Sequence, residues 1–317
     1  MTLSKKTSLR KNVLALAGPT GCGKSELALQ LALEFRGEIV NCDSVQIFRF
    51  FDIGSAKLPQ ADRRGIPHHL IDIANPDELF TAGDFARLGR PVLEEIATRD
   101  HLAIVTGGTG FYLRALVDGL APGPARNETL RARLKSREEE TPGIAHRLLR
   151  RLDPATAARI HPNDIPKIIR AVEICLTARR TASEIFAEGR HALEGFRVLK
   201  IGLFPNREAL YKRIESRLEA MFAAGLTEET RSILARGYSP DAKPFESIGY
   251  KQALECIQGT LSPKDALFQA KQATRRYAKR QMTWFRQEPG IEIFPGFGDD
   301  PAVAAKVCER LRGWLAC

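Results

Sequence analysis

Gly18-Pro19-Thr20-Gly21-Cys22-Gly23-Lys24-Ser25 decides how this chain is read, because of what flanks it. Before it runs the apolar stretch Val13-Leu14-Ala15-Leu16-Ala17. After it come helix formers, Glu26-Leu27-Ala28-Leu29-Gln30-Leu31-Ala32-Leu33. A glycine-rich turn between strand and helix, closing on lysine and a hydroxyl, is the context in which this motif cradles phosphate. The loop's backbone N–H groups and the positive end of the helix form an anion cage. Lys24 adds a point charge, and Ser25 offers a hydroxyl to a phosphate-bound Mg²⁺. All eight residues from Gly18 to Ser25 are therefore read as diphosphate- or nucleotide-binding. The motif reports phosphate and is silent about what the phosphate carries.

Working outward, two more short β-rich runs each end at a polar or glycine-rich turn: Ile39-Val40-Asn41-Cys42 and Leu102-Ala103-Ile104-Val105-Thr106. Helical patterns from Ser25 to Phe35 and from Ala82 to Arg99 lie between them. Continuous apolar strands alternating with helices predict a parallel sheet covered on both faces. Ligands on such sheets gather at the carboxyl ends of the strands. After Gly119 the texture changes. Pro122, Gly123 and Pro124 form a linker, and the arginine-rich stretch from Asn127 to Ala187 is helical by pattern. The run Phe196 to Leu203 then returns to the sheet, and amphipathic helices finish the chain, the last long one from Pro263 to Arg286. The expected fold is α/β: a P-loop-type parallel sheet core flanked by helices (10–120 and 195–317), with an all-helical insertion (121–194).

A chain of 317 residues can bury a large core plus a smaller unit. No apolar stretch is long enough to span a membrane, and Met1 to Asn12 are basic and polar with no apolar signal core. The chain is expected in the cytoplasm, with no membrane partner. A formal net charge of +10 favours an acidic partner, with nucleic acid first in line. Cys22, Cys42, Cys175, Cys256, Cys308 and Cys317 show no paired C-x-x-C spacing, so they are read as reduced thiols and no zinc site is expected.

Asp43-Ser44-Val45-Gln46 ends the second predicted strand, beside the phosphate loop. A carboxylate there can form a turn, ligate Mg²⁺ or act as a general base, and the amide of Gln46 suits an adenine edge. The run Thr106-Gly107-Gly108-Thr109-Gly110-Phe111-Tyr112 lacks the acid by which ATPases of this class hold their metal. Its glycines suggest close backbone approach of a large substrate, with Thr109 donating a hydrogen bond. Arg213 and Arg217 lie four apart, either facing the site or on a solvated face balanced by Glu215 and Glu219. From Ala273 to Arg286 cations and aromatics interleave without an acid. Arg275 with Lys279, and Arg276 with Arg280, form a stripe suited to successive RNA phosphates.

Taken together, these segments resemble the tRNA dimethylallyltransferases (tRNA isopentenyltransferases) of bacterial type. The resemblance rests on Gly18 to Ser25, Asp43 to Phe48 with Asp52 to Lys57, Gly107 to Tyr112, His161 to Asp164, Ile248 to Lys251, and Ala273 to Arg286, in the family's order. It implies transfer of a five-carbon allyl group from dimethylallyl diphosphate to N6 of adenosine 37 in tRNA, with Mg²⁺ as cofactor. It further implies that Asp43 is the general base, that Thr20 sits between the loop and the reacting centre, and that Arg217 faces the leaving diphosphate. By the same resemblance, the tRNA anticodon stem-loop would contact Asp43, Ser44, Val45, Gln46, Thr109 and Arg131. Pro166, Lys167, Ile168, Ile169 and Arg170 would follow, then Glu246, Ser247, Ile248, Gly249, Tyr250 and Lys251, with the helical insertion acting as a clamp. The stripe adds Arg276 and Arg280.

Phe48, Lys167 and Cys22 stand where the family commonly has tyrosine, arginine and serine. The expected state is a monomer. The rival readings are an isopentenyltransferase acting on free AMP, ADP or ATP, a small-molecule kinase using the loop for ATP, and a non-enzymatic tRNA-binding module.

Overall fold

The computed structural model describes residues 11–317; the reading of residues 1–10 lies outside them. Six strands build one parallel sheet: β1 (Lys11–Ala17), β2 (Gly37–Asn41), β3 (His68–His69), β4 (Leu102–Gly107), β5 (Phe196–Leu203) and β6 (Ile291–Phe294). Their spatial order is β3-β2-β4-β1-β5-β6. β4 is thus inserted beside β1, with Leu14 opposite Ile104 and Ala17 opposite Gly107, and β5 lies on the other side of β1. The chain works outward from β1 to β2 and β3, returns to β4, and then crosses to β5. This reversal opens a crevice at the carboxyl ends of β1 and β4, where such sheets bind ligands. Val13 to Ala17 are buried throughout, as expected of a strand covered on both faces.

The helices of this layer are α1 (Lys24–Glu34), α2 (Ala82–Thr98) and α3 (Gly110–Val117). α4 (Glu128–Glu140), α5 (Ile144–Leu152), α6 (Pro154–Arg159), α7 (Ile165–Ala178) and α8 (Ala182–Ala187) come next. After β5 follow α9 (Arg207–Ala223), α10 (Leu226–Ala235), α11 (Tyr250–Ile257), α12 (Pro263–Arg286) and α13 (Pro301–Ala316). α1 starts where Gly23 turns with φ of 84°, a left-handed conformation that glycine adopts without strain. Pro263 at the first turn and the Ser262 hydroxyl, which accepts from the Asp265 amide at 3.1 Å, start α12. The two edge strands, β3 and β6, leave no clear pattern in the sequence. β3 is two residues long, and β6 is half exposed.

Two compact units divide the chain: Met1–Val117 with Leu193–Cys317, and Asp118–Ala192. The second holds α4 to α8 around a core that includes Leu149, Ile168, Ile169, Val172 and Ala182. That placement corrects the expectation that Ile168 and Ile169 touch RNA. Positions 165, 168, 169 and 172 fall on the inward stripe of α7, and the 3.6-residue period turns Pro166 and Lys167 outward. Among the described residues, no helix is long and apolar enough to cross a membrane, and no group of three or more His, Cys, Asp or Glu could hold a metal.

Candidate functional site

The turns after β1, β2 and β4 converge with α9 and α12 on a cavity of about 660 Å³. Lys24, Ser25, Asp43, Thr106, Arg217 and Gln281 are among its walls. A neighbouring cavity of about 320 Å³ shares Thr20, Asp43, Arg217 and Tyr277, and adds the apolar Ile214, Leu218 and Met221.

Within the phosphate loop, Lys24 Nζ donates to the carbonyls of Gly18 (2.9 Å) and Pro19 (2.8 Å). Cys22 is fully buried beneath it. Burial raises the pKa of that thiol, outweighing the nearby Lys24 ammonium, so the sulfur stays a neutral packing atom. At the end of β2, Asp43 Oδ1 accepts the amides of Val45 (2.8 Å) and Gln46 (3.3 Å). The turn reading and the chemical reading of Asp43 therefore coexist, since one oxygen fixes the turn while the residue lines both cavities. Gln46 spends its amide N–H on the carbonyls of Ser55 (2.9 Å) and Ala56 (3.3 Å), bracing the turn after Asp52. Thr109 Oγ1 accepts the Ser44 amide at 3.0 Å and donates to Ser44 Oγ at 3.3 Å, so its hydroxyl steadies the Asp43 turn.

The glycines after β4 are close-packed, but by the protein's own helix and not by a substrate. A Cβ on Gly108 would lie 2.4 Å from Gln281 Nε2, and one on Gly110 would lie 2.3 Å from the Trp284 ring. This corrects the expectation of a large ligand approaching here. α12 docks on the strand end through Gln281 and Trp284, and the Arg114 guanidinium lies over the Trp284 ring, 4.3 Å from its centroid.

α9 and α12 then sort the arginines. Arg213 is held by both carboxylate oxygens of Asp299 at 2.7 Å each, a bidentate pair that fixes a neighbouring turn. One turn on, Arg217 lines both cavities; burial lowers its pKa and the nearby Asp43 carboxylate opposes that. Glu215 and Glu219 do not balance these two. They pair with Arg275 and Lys271 of α12. Arg275 is accordingly no part of a phosphate stripe, since it seals α12 against α9. Arg276, Lys279 and Arg280 remain exposed, and Arg280 lies over the Tyr277 ring at 5.7 Å and lines the smaller cavity.

Tyr277, in sequence only an aromatic among cations, lines both cavities. Burial, and then the charge of Asp43, raise its phenol's pKa, which keeps it a neutral donor.

The segment 246–251 splits in the same way. Glu246 and Lys251 are exposed, Ser247 Oγ donates to the Pro244 carbonyl, and Ile248 lines the smaller cavity. Gly249 precedes α11 and is buried. Tyr250 is fully buried, which corrects its expected contact with RNA. Its ring packs 4.6 Å from Phe51, and its hydroxyl donates to Glu229 (2.5 Å) while accepting the Gly54 amide (3.0 Å). A buried phenol needs such partners. In the Asp118–Ala192 unit, Arg131 and Arg170 both donate to the buried Glu173, at 3.2 and 2.7 Å. Pro166 and Lys167 stand exposed at the start of α7.

Residues 46–288 match the family described as IPP transferase. The chain belongs to this family. It is 55% identical to the tRNA dimethylallyltransferase of Solibacter usitatus, over 96% of this chain and 99% of that one. With the tRNA dimethylallyltransferase of Koribacter versatilis it shares 50% identity, over 95% and 98%. Among solved structures it resembles the tRNA isopentenylpyrophosphate transferase of Bacillus halodurans (TM-score 0.71, 32% identity, 96% of each chain). It also resembles a eukaryotic dimethylallyltransferase acting on tRNA (TM-score 0.77, 30% identity, 92% of this chain and 75% of that one). For an IPP transferase, the convergence of a phosphate loop and the Asp43 carboxylate on one cavity is the informative geometry.

The cavity's donor set bears on the implied Mg²⁺. Ser25 and Asp43 both line it, and the Thr106 hydroxyl at the end of β4 is buried without a hydrogen-bond partner. Two hydroxyls and the Asp43 carboxylate suit a cation brought in and mostly ligated by a diphosphate, not one caged by protein alone.

Proposed function

We propose that the protein transfers a dimethylallyl group from dimethylallyl diphosphate to N6 of adenosine 37 in tRNA, releasing diphosphate. The observation that carries this reading is the placement of Asp43 in the cavity that the phosphate loop opens into.

An exocyclic adenine amine is a weak nucleophile because its lone pair is delocalised into the ring. Asp43 removes its proton as nitrogen bonds to the allyl carbon, a general-base contribution of about 10²–10⁴-fold. The carbon–oxygen bond breaks with its electron pair passing to the diphosphate. Loop amides, Lys24 and Arg217 meet that growing negative charge, and such preorganised stabilisation is usually the larger contribution. Mg²⁺, held on the protein side by Ser25, would supply further neutralisation of the diphosphate. Thr20, shared with the smaller cavity, separates the cage from the reacting centre, and the apolar Ile214, Leu218 and Met221 offer a wall for the allyl group. The adenine must leave its stack, which costs less in a single-stranded anticodon loop than in a duplex.

Arg276 and Arg280 would track RNA phosphates, with Lys167, Lys251 and the Glu173-bound Arg131 and Arg170 adding contacts to the anticodon stem-loop. We take the protein to act as a cytoplasmic monomer.

The test is transfer of label from dimethylallyl diphosphate to an anticodon stem-loop with adenosine at position 37, and none when guanosine replaces it. Label appearing only on free AMP would instead assign a nucleotide prenyltransferase. ATP consumption with the isoprenoid donor untouched would assign a kinase.

A further inference from the structure

The phosphate loop is held from outside by a turn from the far end of the chain. Between β6 and α13, the strap Phe297-Gly298-Asp299 lies against Cys22 and Gly23, and the Gly298 amide donates to the Cys22 carbonyl at 2.8 Å. The fit leaves no spare space. A Cβ on Gly23 would lie 2.5 Å from Asp299 Oδ1, and one on Gly298 would lie 2.6 Å from the Gly23 carbonyl oxygen. Asp299 is in turn gripped by Arg213 of α9, whose guanidinium lies 4.9 Å from the Phe297 ring centroid.

A trans peptide plane points its carbonyl and its N–H to opposite sides, and Cys22 shares such a plane with Gly23. Tying the Cys22 carbonyl to Gly298 therefore turns the Gly23 N–H away from the strap, and Gly23 lines the larger cavity. A glycine loop left to itself samples many backbone conformations, and an anion would have to stop that motion on binding. The charges are arranged to the same end. A carboxylate pressed against a phosphate loop repels an anion unless a cation answers it. Arg213 does so with two of its five N–H groups, and it lines the larger cavity beside Gly21, Gly23 and Lys24.

We propose that Asp299 is a positioning residue for the diphosphate cage. Held by Arg213, it keeps the strap on the loop, so that the Gly23 amide faces the cavity before a diphosphate arrives. This role rests on the reading of Gly18 to Ser25 as that cage, and it names what sets the cage's shape. It differs from a contribution to stability, because an ion pair whose side chains are 40% and 35% exposed adds little to the fold.

The experiment titrates the full-length protein calorimetrically with inorganic pyrophosphate, and measures KM and kcat with dimethylallyl diphosphate and the stem-loop. Charge and position predict opposite signs. Removing a negative charge beside an anion site tightens binding if charge alone matters. Asp299→Ala should instead weaken pyrophosphate binding about tenfold, roughly the effect of losing one hydrogen bond. KM for the donor should rise by the same factor with kcat within about twofold, because the cage grips the diphosphate in ground state and transition state alike. Asp299→Asn, which keeps the shape and one acceptor, should weaken binding about threefold. Melting temperatures should change little. Tighter or unchanged pyrophosphate binding in both variants overturns the role of Asp299, and so does a loss confined to kcat. If the alanine variant does not fold, the sign of the change in the asparagine variant decides. A parent that binds no pyrophosphate overturns the cage reading and this role with it. Tighter binding in variants that still transfer label removes this role alone.

Discussion

Glu38 and Asp43 are carboxylates five residues apart on one strand and its turn, yet they live in opposite surroundings. Glu38, in β2 toward the amino end of the sheet, is buried and fully partnered. Arg99 donates to both its oxygens (2.8 and 2.9 Å), and ring nitrogens of His69 (2.6 Å) and His101 (2.8 Å) add two more bonds. Burial pushes its pKa up, but these donors outweigh it and hold the carboxyl at about 2. Asp43, past the carboxyl end, accepts only amides of its own turn and lines two cavities. A carboxylate saturated by hydrogen-bond donors holds strands together and has no free oxygen for a ligand. One left facing open space keeps an oxygen free to meet a substrate.

The largest effect that can break this contrast is at Asp43. Asp43→Asn keeps an acceptor for the Val45 amide but removes basicity, so turnover should fall by about 10²–10⁴-fold while stem-loop affinity stays within twofold. Single-turnover label transfer beside a direct binding assay separates the two. Turnover near the parent value would end the general-base role.

The matching substitution at the other end, Glu38→Gln, should leave turnover per folded molecule unchanged and cost about 3 kcal/mol of stability, because it uncouples Arg99 and both histidines from their shared partner. Its signature is in pH. The folded pKa of about 2 lies below the unfolded value near 4.5, so the stabilisation is complete above pH 4.5 and disappears as pH falls toward 2. Denaturant midpoints measured over that window should fall in the parent more steeply than in the variant. Parallel curves would show that the cluster contributes nothing through ionisation.

Tyr250→Phe tests a third situation, a polar group that is buried near the site yet faces no ligand. It retains the ring against Phe51 but strips Glu229 and the Gly54 amide of a partner, so about 1 kcal/mol of stability should be lost. RNA affinity should not change. A selective loss of RNA affinity at unchanged melting temperature would return Tyr250 to the contact surface.

What could be read ahead follows the same division. The strand, loop and helix around Gly18 to Ser25 are a local pattern, and so is Asp43 at a strand end beside them. β3 is defined only by partners on β2, with Ile39 opposite His68, and two residues carry no period. Ile168, Ile169 and Tyr250 were misread because a motif treats neighbours alike, whereas helix geometry turns some inward. The stripe Ile165, Ile168, Ile169, Val172 was available as the signal. Gln281 and Arg275 could not be placed from nearby residues. Their partners Thr20 and Glu215 lie 261 and 60 residues away, and only the packed fold brings them together.

The smallest effect sharpens the contrast on α12 itself, between cations spent on the fold and cations left for a ligand. Arg275 is tied to Glu215, while Arg276 and Arg280 are exposed, with no acid from Ala273 to Arg286 to neutralise them. Each phosphate contact releases condensed counterions, so removing one lowers the slope of log affinity against log salt by about one unit or slightly less. Arg276→Ala with Arg280→Ala should therefore weaken stem-loop binding about tenfold at moderate salt and flatten the slope by somewhat under two units. Arg275→Ala should leave the slope unchanged and lower the melting temperature instead, because it opens the seam between α9 and α12. If the Arg275 variant flattened the slope and the double variant did not, the two faces of α12 would have to exchange roles.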